Sequence, residues 1–187
     1  MRTSIHRQAW LARPVSLPYS VFFLAGPIEE LFKLIVLRYS VYFTNDFNQV
    51  FDGVVYGVMV ALGFSLIENC GYFFSIQQDH GLLLSIIIIL TRGLITTTMH
   101  VTATGIMGYY VGKSKFASSG SRMLIFKGVA LAAMLHGLFN VLAVFPYGLY
   151  ISIPILIAIF FIFRSKWNRP DVRMVWRPVS KTVTNTI

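Results

Sequence analysis

Charge is what this sequence has least of. Asp, Glu, Lys and Arg make up 12% of its 187 residues, about half the roughly 25% usual in soluble domains. With 56% apolar residues and a mean hydropathy of +0.68, that scarcity excludes an ordinary soluble domain. Cysteine occurs once, at Cys70, which excludes an internal disulfide. It lies in an apolar stretch with no base nearby in sequence and is a poor nucleophile. No His-Glu-x-x-His pair is present, so the common metalloprotease helix is absent. Nor is there a Gly-x-Ser-x-Gly elbow or a glycine-rich phosphate loop. The two halves share no repeat of interrupted helices, which a carrier would usually show.

Apolar runs long enough to cross a bilayer recur along the chain, so the expected fold is all-α, a polytopic transmembrane bundle of about five helices. The net charge of +9 would suggest a nucleic-acid partner if it were gathered on one face. It is not. Lys113, Lys115 and Arg122 cluster in one loop, and Arg164, Lys166, Arg169, Arg173, Arg177 and Lys181 lie in the final segment. That is the pattern of cytoplasmic positive charge flanking membrane helices. The expected partners are therefore the lipid bilayer and a membrane substrate, with no nucleic acid. The expected location is the cytoplasmic membrane of a prokaryote, with the basic tail inside.

Residues 1–19 form a basic N-terminal segment with Trp10 and Tyr19 as interfacial anchors. No cleavable leader is read there, because Arg13 and Pro14 interrupt any early apolar core. The membrane domain is expected over 20–163, and a basic, mobile tail over 164–187. The first helix is expected from about Ser20 to about Phe43, although Pro27 is itself well placed to open a helix, its fixed φ suiting a first turn. Glu29, Glu30 and Lys33 sit in it amid apolar residues, spaced so that both carboxylates can reach the ammonium. Thr44-Asn45-Asp46-Phe47-Asn48 reads as a break. A second helix, about Phe51 to Ile76, carries Asp52 near its start, where a cap explains it almost as well as chemistry does. It also carries Gly53 and Gly57, a packing pair, and Glu68-Asn69. Gln77 to Gly81 reads as a polar turn, with His80 solvated. In the third helix, from Leu82, the residues Arg92, Thr96, His100, Thr104 and Gly108 recur every four positions, one inward-facing polar stripe. The fourth, about Met123 to Phe145, repeats the spacing with His136 and Asn140. The fifth, about Leu149 to Phe163, carries no charge. Five full spans would put two basic ends on opposite faces. Either the first helix does not fully span, or the numbering begins after an upstream span.

A charge at membrane depth costs at least about 2.5–3.5 kcal/mol, so intramembrane ionisable groups are read as functional. Glu29, Glu30, Lys33, Asp52, Glu68, Asn69, Arg92, His100, His136 and Asn140 come from four helices. The economical packing turns them toward one wet cavity. Three kinds of chemistry are open to them. A glutamate can act as general base on water, His and Asn donors can stabilise an oxyanion, or Glu29, His100 and His136 can hold a metal such as zinc. The leading expectation is a metal-free site without a cofactor, with zinc as the alternative. A non-catalytic scaffold or a proton-coupled carrier would use the same charges as a lock or a relay.

The blocks Glu29-Glu30-x-x-Lys33, Phe51-Asp52-Gly53-Val54-Val55-Tyr56-Gly57, Gly63-Phe64-Ser65-x-x-Glu68-Asn69, Arg92 with His100, and His136-Gly137-x-Phe139-Asn140 occur in this order. Together they resemble the PrsW family of intramembrane proteases, distantly related to the CAAX prenyl proteases and to bacteriocin-immunity membrane proteins. The likeness covers about residues 26–145. It implies an endopeptidase that makes the first cut in a single-span, anti-sigma-factor-like membrane protein. By the same likeness Glu29 and Glu30 are the essential acidic pair, with Glu29 the general base. His100 would orient the attacking water, and His136 and Asn140 would be oxyanion donors. Lys33, Asp52, Glu68, Asn69 and Arg92 would support them. The chain departs from the pattern in its short stretch before Glu29 and its long basic tail.

Overall fold

The computed structural model describes residues 24–145 and 147–167. The basic segment 1–19, the start of the first helix and most of the expected tail lie outside them. Among the described residues there are five α-helices and no strand: α1 (Gly26–Leu37), α2 (Val50–His80), α3 (Leu82–Lys115), α4 (Ser121–Val144) and α5 (Gly148–Trp167). Three of these, α2, α3 and α4, are long and apolar enough to cross a membrane. The protein is an integral membrane protein built as an all-α bundle. Its lipid-compatible surface shows in the outward-facing Leu66, Ile67, Leu83, Leu90 and Leu94, all largely exposed.

Pro27 sits in the first turn of α1, where its missing N–H costs nothing. The helix ends in a five-residue π turn, Arg38–Tyr42, followed by the polar break over residues 43–49. Helix α2 runs one turn further than its composition suggested. Gln77, Gln78, Asp79 and His80 are helical, and the reversal falls on Gly81 alone, at φ 73°. Polar residues are tolerated in a last turn, whereas the left-handed residue that ends it favours glycine. Lys113 and Lys115 likewise belong to the last turn of α3, where cations complement the helix dipole.

Two close backbone contacts set the architecture. Along the α2–α3 hairpin a Cβ on Gly53 would lie 2.2 Å from the carbonyl oxygen of Gly108, and one on Gly57 2.8 Å from that of Thr104. The helices therefore touch main chain to main chain, which only small residues permit. Between α1 and α4 a Cβ on Gly26 would lie 2.9 Å from the amide nitrogen of Gly137. Helix α3 packs on both α2 and α4, α1 lies mainly against α4, and α5 leans on α4 and α3. Leu37, Phe47, Met99, Ala103, Met107, Val111, Ala132, Phe139 and Leu156 form the apolar core. Phe47 gathers the rings of Tyr42, Tyr56 and Phe116 around it. The polar site lies between α1, α2, α3 and α4.

Candidate active site

Glu30 is the hub. It is fully buried, and its Oε1 accepts from Lys33 Nζ at 2.6 Å and from His136 Nδ1 at 3.0 Å. Its other oxygen accepts from the Thr104 hydroxyl at 3.0 Å. Lys33, also fully buried, donates onward to His100 Nδ1 at 2.8 Å. Its ammonium lies 4.4 Å from the centre of the Phe64 ring, a cation–π contact with a desolvated charge. His100 Nε2 then meets Glu68 Oε2 at 2.7 Å, and Glu68 Oε1 accepts from Arg92 at 2.9 Å. Arg92 also donates to Asn69 Oδ1 and lies over the Tyr72 ring, 3.6 Å from its centre. One unbroken hydrogen-bond chain thus runs from Arg92 to His136 through four helices.

The partners fix the tautomers. An ammonium donates, so His100 Nδ1 accepts from Lys33 and its Nε2–H donates to Glu68. An ionised Glu30 accepts, so His136 donates through Nδ1–H and leaves a lone pair on Nε2. That Nε2 faces Glu29 Oε2 at 3.6 Å. Glu29 Oε2 is itself buried and without a hydrogen bond among the described residues. Two acceptors, one of them anionic, face each other across a short gap. The rings of His100 and His136 meet edge to face, centres 4.9 Å apart.

Most of the sequence-derived residues come together here, and the exceptions have physical reasons. Glu29 does not pair with Lys33, although their spacing would allow it; Lys33 turns to Glu30 and His100, leaving Glu29 to face His136. His100 has both ring nitrogens engaged. It joins the two acidic groups and has no nitrogen free to hold a water. Asp52 stands apart, accepting at 2.8 Å from the backbone amides of Asn48 and Gln49, a helix cap. Asn140 lies half-buried one turn after His136. Thr104, Ser65 and Phe64 join the site although none was among the candidate site residues; Phe64 and Ser65 stood only in the Gly63–Asn69 block. Ser65 pairs with Thr97 at 2.6 Å and accepts from Asn69 at 3.2 Å. The fourfold stripe on α3 was the signal for Thr104.

One donor atom each from Glu29, His100 and His136 lies within 4.8 Å of the others, the residue set of a three-ligand metal centre. His136 suits that role. Its Nδ1–H is held by a carboxylate and its Nε2 is open, the orientation metal-binding histidines adopt. His100 suits it less, since Lys33 fills its Nδ1.

Such a site, buried in a bundle of apolar helices, defines a class: a membrane-embedded protein with a buried acid–histidine cluster. The family model for the PrsW family intramembrane metalloproteases matches residues 4–164, and this chain belongs to that family. It is similar to the protease PrsW of Clostridioides difficile strain 630, 34% identical over 131 residues, 69% of this chain and 53% of that one. It is similar to those of Shouchella clausii, 33% over 138 residues (73% and 60%), and Bacillus subtilis strain 168, 29% over 138 residues (73% and 60%). The chain thus spans about half to three fifths of the length of these curated relatives. No solved structure matches it.

Proposed function

We propose that the chain is an intramembrane endopeptidase that hydrolyses a peptide bond of a single-span membrane protein, of the anti-sigma-factor type, with Glu29 as general base. The observation that carries this is the facing pair, Glu29 Oε2 and His136 Nε2, 3.6 Å apart, with the Glu29 oxygen making no hydrogen bond to a described residue. Two acceptors at that separation call for a donor between them, and a water within about 2.8 Å of each would be that donor. Such a water could give its proton to Glu29 and attack the scissile carbonyl.

Charge supports the same assignment. Glu30 is paired with Lys33 and Glu68 with Arg92, so Glu29 is the acid of the site with no fixed cation of its own. His136 and Asn140 would stabilise the oxyanion, Asn140 through its amide and His136 once Glu29 has passed to its facing Nε2 the proton taken from the water. Lys33, Glu30 and Thr104 hold His136 in its tautomer. Glu68 and Arg92 hold His100.

The facing lone pairs also favour a second reading. A metal would be held by Glu29, His136 and His100, with His100 giving up Lys33. It would acidify a bound water and polarise the carbonyl. Either way, Glu29 and His136 remain the residues at the reacting centre.

With the loop between α3 and α4, flanked by Lys113, Lys115 and Arg122 on the helix ends, taken as cytoplasmic, a depth for the site can be worked out. His100 lies fifteen residues before the end of α3 and His136 fifteen after the start of α4. At 1.5 Å per residue both stand about 22 Å above that loop, in the far half of a core about 30 Å thick. Cleavage would fall near the outer face.

The test uses purified protein in detergent with a panel of tagged single-span substrates, Glu29→Gln alongside, with and without a strong chelator. Cleavage that needs Glu29 and ignores the chelator is the expected result. Loss on chelation with recovery on zinc would make the same residues metal ligands. Full turnover by Glu29→Gln would remove Glu29 from the mechanism.

A further inference from the structure

Helix α3 carries six threonines, and five have a partner for the hydroxyl. Thr91, Thr98 and Thr102 donate back to carbonyls of their own helix at 2.8, 2.8 and 2.7 Å. Thr97 pairs with Ser65 at 2.6 Å, and Thr104 donates to Glu30 at 3.0 Å. Thr96 is the exception. The residue is 7% exposed, and its Oγ1 is buried with no hydrogen bond to any described residue.

A helical threonine has a ready acceptor in the carbonyl three or four residues back. Thr96 has not taken it. Its position says where it looks. It lies one turn from Arg92 and one from His100, the residues that grip the two oxygens of Glu68, on the stripe that faces the site. Among the described residues three buried side-chain atoms lack a partner. Gln49 Oε1 is at the start of α2, and the other two are Glu29 Oε2 and Thr96 Oγ1. A buried orphan hydroxyl is costly and calls for an explanation.

We infer that Thr96 is a substrate-binding residue, its hydroxyl donating to a main-chain carbonyl of the segment bound for cleavage. This rests on the protease reading above. A transmembrane helix must unwind locally to bring a peptide bond to Glu29, and each freed carbonyl then needs a donor in apolar surroundings. Lys33, Arg92 and both histidines each have a donor held by a buried acid, and the Asn140 amide is assigned to the oxyanion. The Thr96 hydroxyl is neutral, buried and uncommitted.

The experiment compares the full chain with Thr96→Val, Thr96→Ser and Glu29→Gln on a tagged single-span substrate, reading kcat/KM and melting temperature. Thr96→Val should lower kcat/KM about tenfold, the worth of one hydrogen bond to the reacting segment. It should leave the melting temperature equal to wild type or higher, because an isosteric methyl replaces an unpaired hydroxyl. Thr96→Ser should stay within about threefold of wild type. Wild-type kcat/KM in Thr96→Val would overturn the inference. So would a lower melting temperature or a failure to fold, which would show the hydroxyl bonded inside the protein. Equal losses in both Thr96 variants would assign the effect to the methyl group and overturn it too. A wild-type chain that cleaves nothing removes the protease reading itself, whereas an unaffected Thr96→Val removes Thr96 alone.

Discussion

Replacing Lys33 by methionine keeps most of the side-chain volume and removes one charge from the centre of the site. Lys33 and Glu30 are both fully buried, with Nζ and Oε1 2.6 Å apart. Glu29, Glu30 and Glu68 face two cations, Lys33 and Arg92, so the fixed charge of the group is −1 and becomes −2 in the variant. Breaking one partner out of a buried pair costs about 3–5 kcal/mol. At 2–4 °C per kcal/mol for a chain of this size, the melting temperature should fall by about 6–20 °C. His100 Nδ1 loses its donor in the same step. The compensating variant is Glu30→Gln with Lys33→Met, which restores the charge of −1 and leaves no unpaired ion beside Phe64. Lys33→Met, Glu30→Gln and the double variant, melted in one detergent, form a cycle. Its coupling should be about 0.5–3 kcal/mol, the double variant being more stable than the sum of the singles. A Lys33→Met chain melting within about 2 °C of wild type, or strict additivity, would refute the buried pair as described.

Two further changes separate packing from chemistry. Gly108→Ala puts a Cβ 2.1 Å from the Gly53 carbonyl oxygen, whereas Gly63→Ala meets nothing within 4 Å. The first should cost about 1–3 kcal/mol by overpacking. The second should be neutral or gain up to about 1 kcal/mol from helix propensity, and equal melting temperatures would contradict the backbone contact. Asp52→Ala should lose about 0.5–2 kcal/mol of stability as a lost cap while keeping kcat/KM within about threefold. A tenfold kinetic loss in a folded variant would return Asp52 to the site.

Much of this was legible in the sequence because the membrane makes polarity informative. Glu30, Lys33, Glu68, Arg92, His100 and His136 stand out as charges or imidazoles among apolar residues, and they meet in space. The 44–48 break was legible from its turn-forming residues, and the helical run through Tyr42 stops there, whereas the expected start of the first helix near Ser20 lies outside the described residues. The pairings were not legible. Spacing allowed Lys33 to reach either glutamate, and the choice was made by His100, 67 residues away. Asp52 carried the same charge as the site acids, and only the amides of Asn48 and Gln49 reveal it as a cap. Hydroxyls are quieter still. Thr96 and Thr104 share one face of one helix, and partners on other helices give them different fates. The end of α2 was misplaced because polar residues read as a turn, whereas the backbone reverses at a single glycine.

The glycine contacts divide the site as well as hold it. Gly53 and Gly108 lock α2 to α3, and Gly26 and Gly137 lock α1 to α4. Each pair of helices then carries its own share of the polar groups. Among the described residues of the site, the hydrogen bonds that bridge the two pairs are Lys33 to His100 and Thr104 to Glu30, beside the ring contacts Lys33–Phe64 and His100–His136. The hairpin half, with Glu68 and Arg92, is electrically neutral. The whole excess negative charge sits on the other half, with Glu29. The two halves meet as an uncharged jaw against an anionic one, joined by two hydrogen bonds.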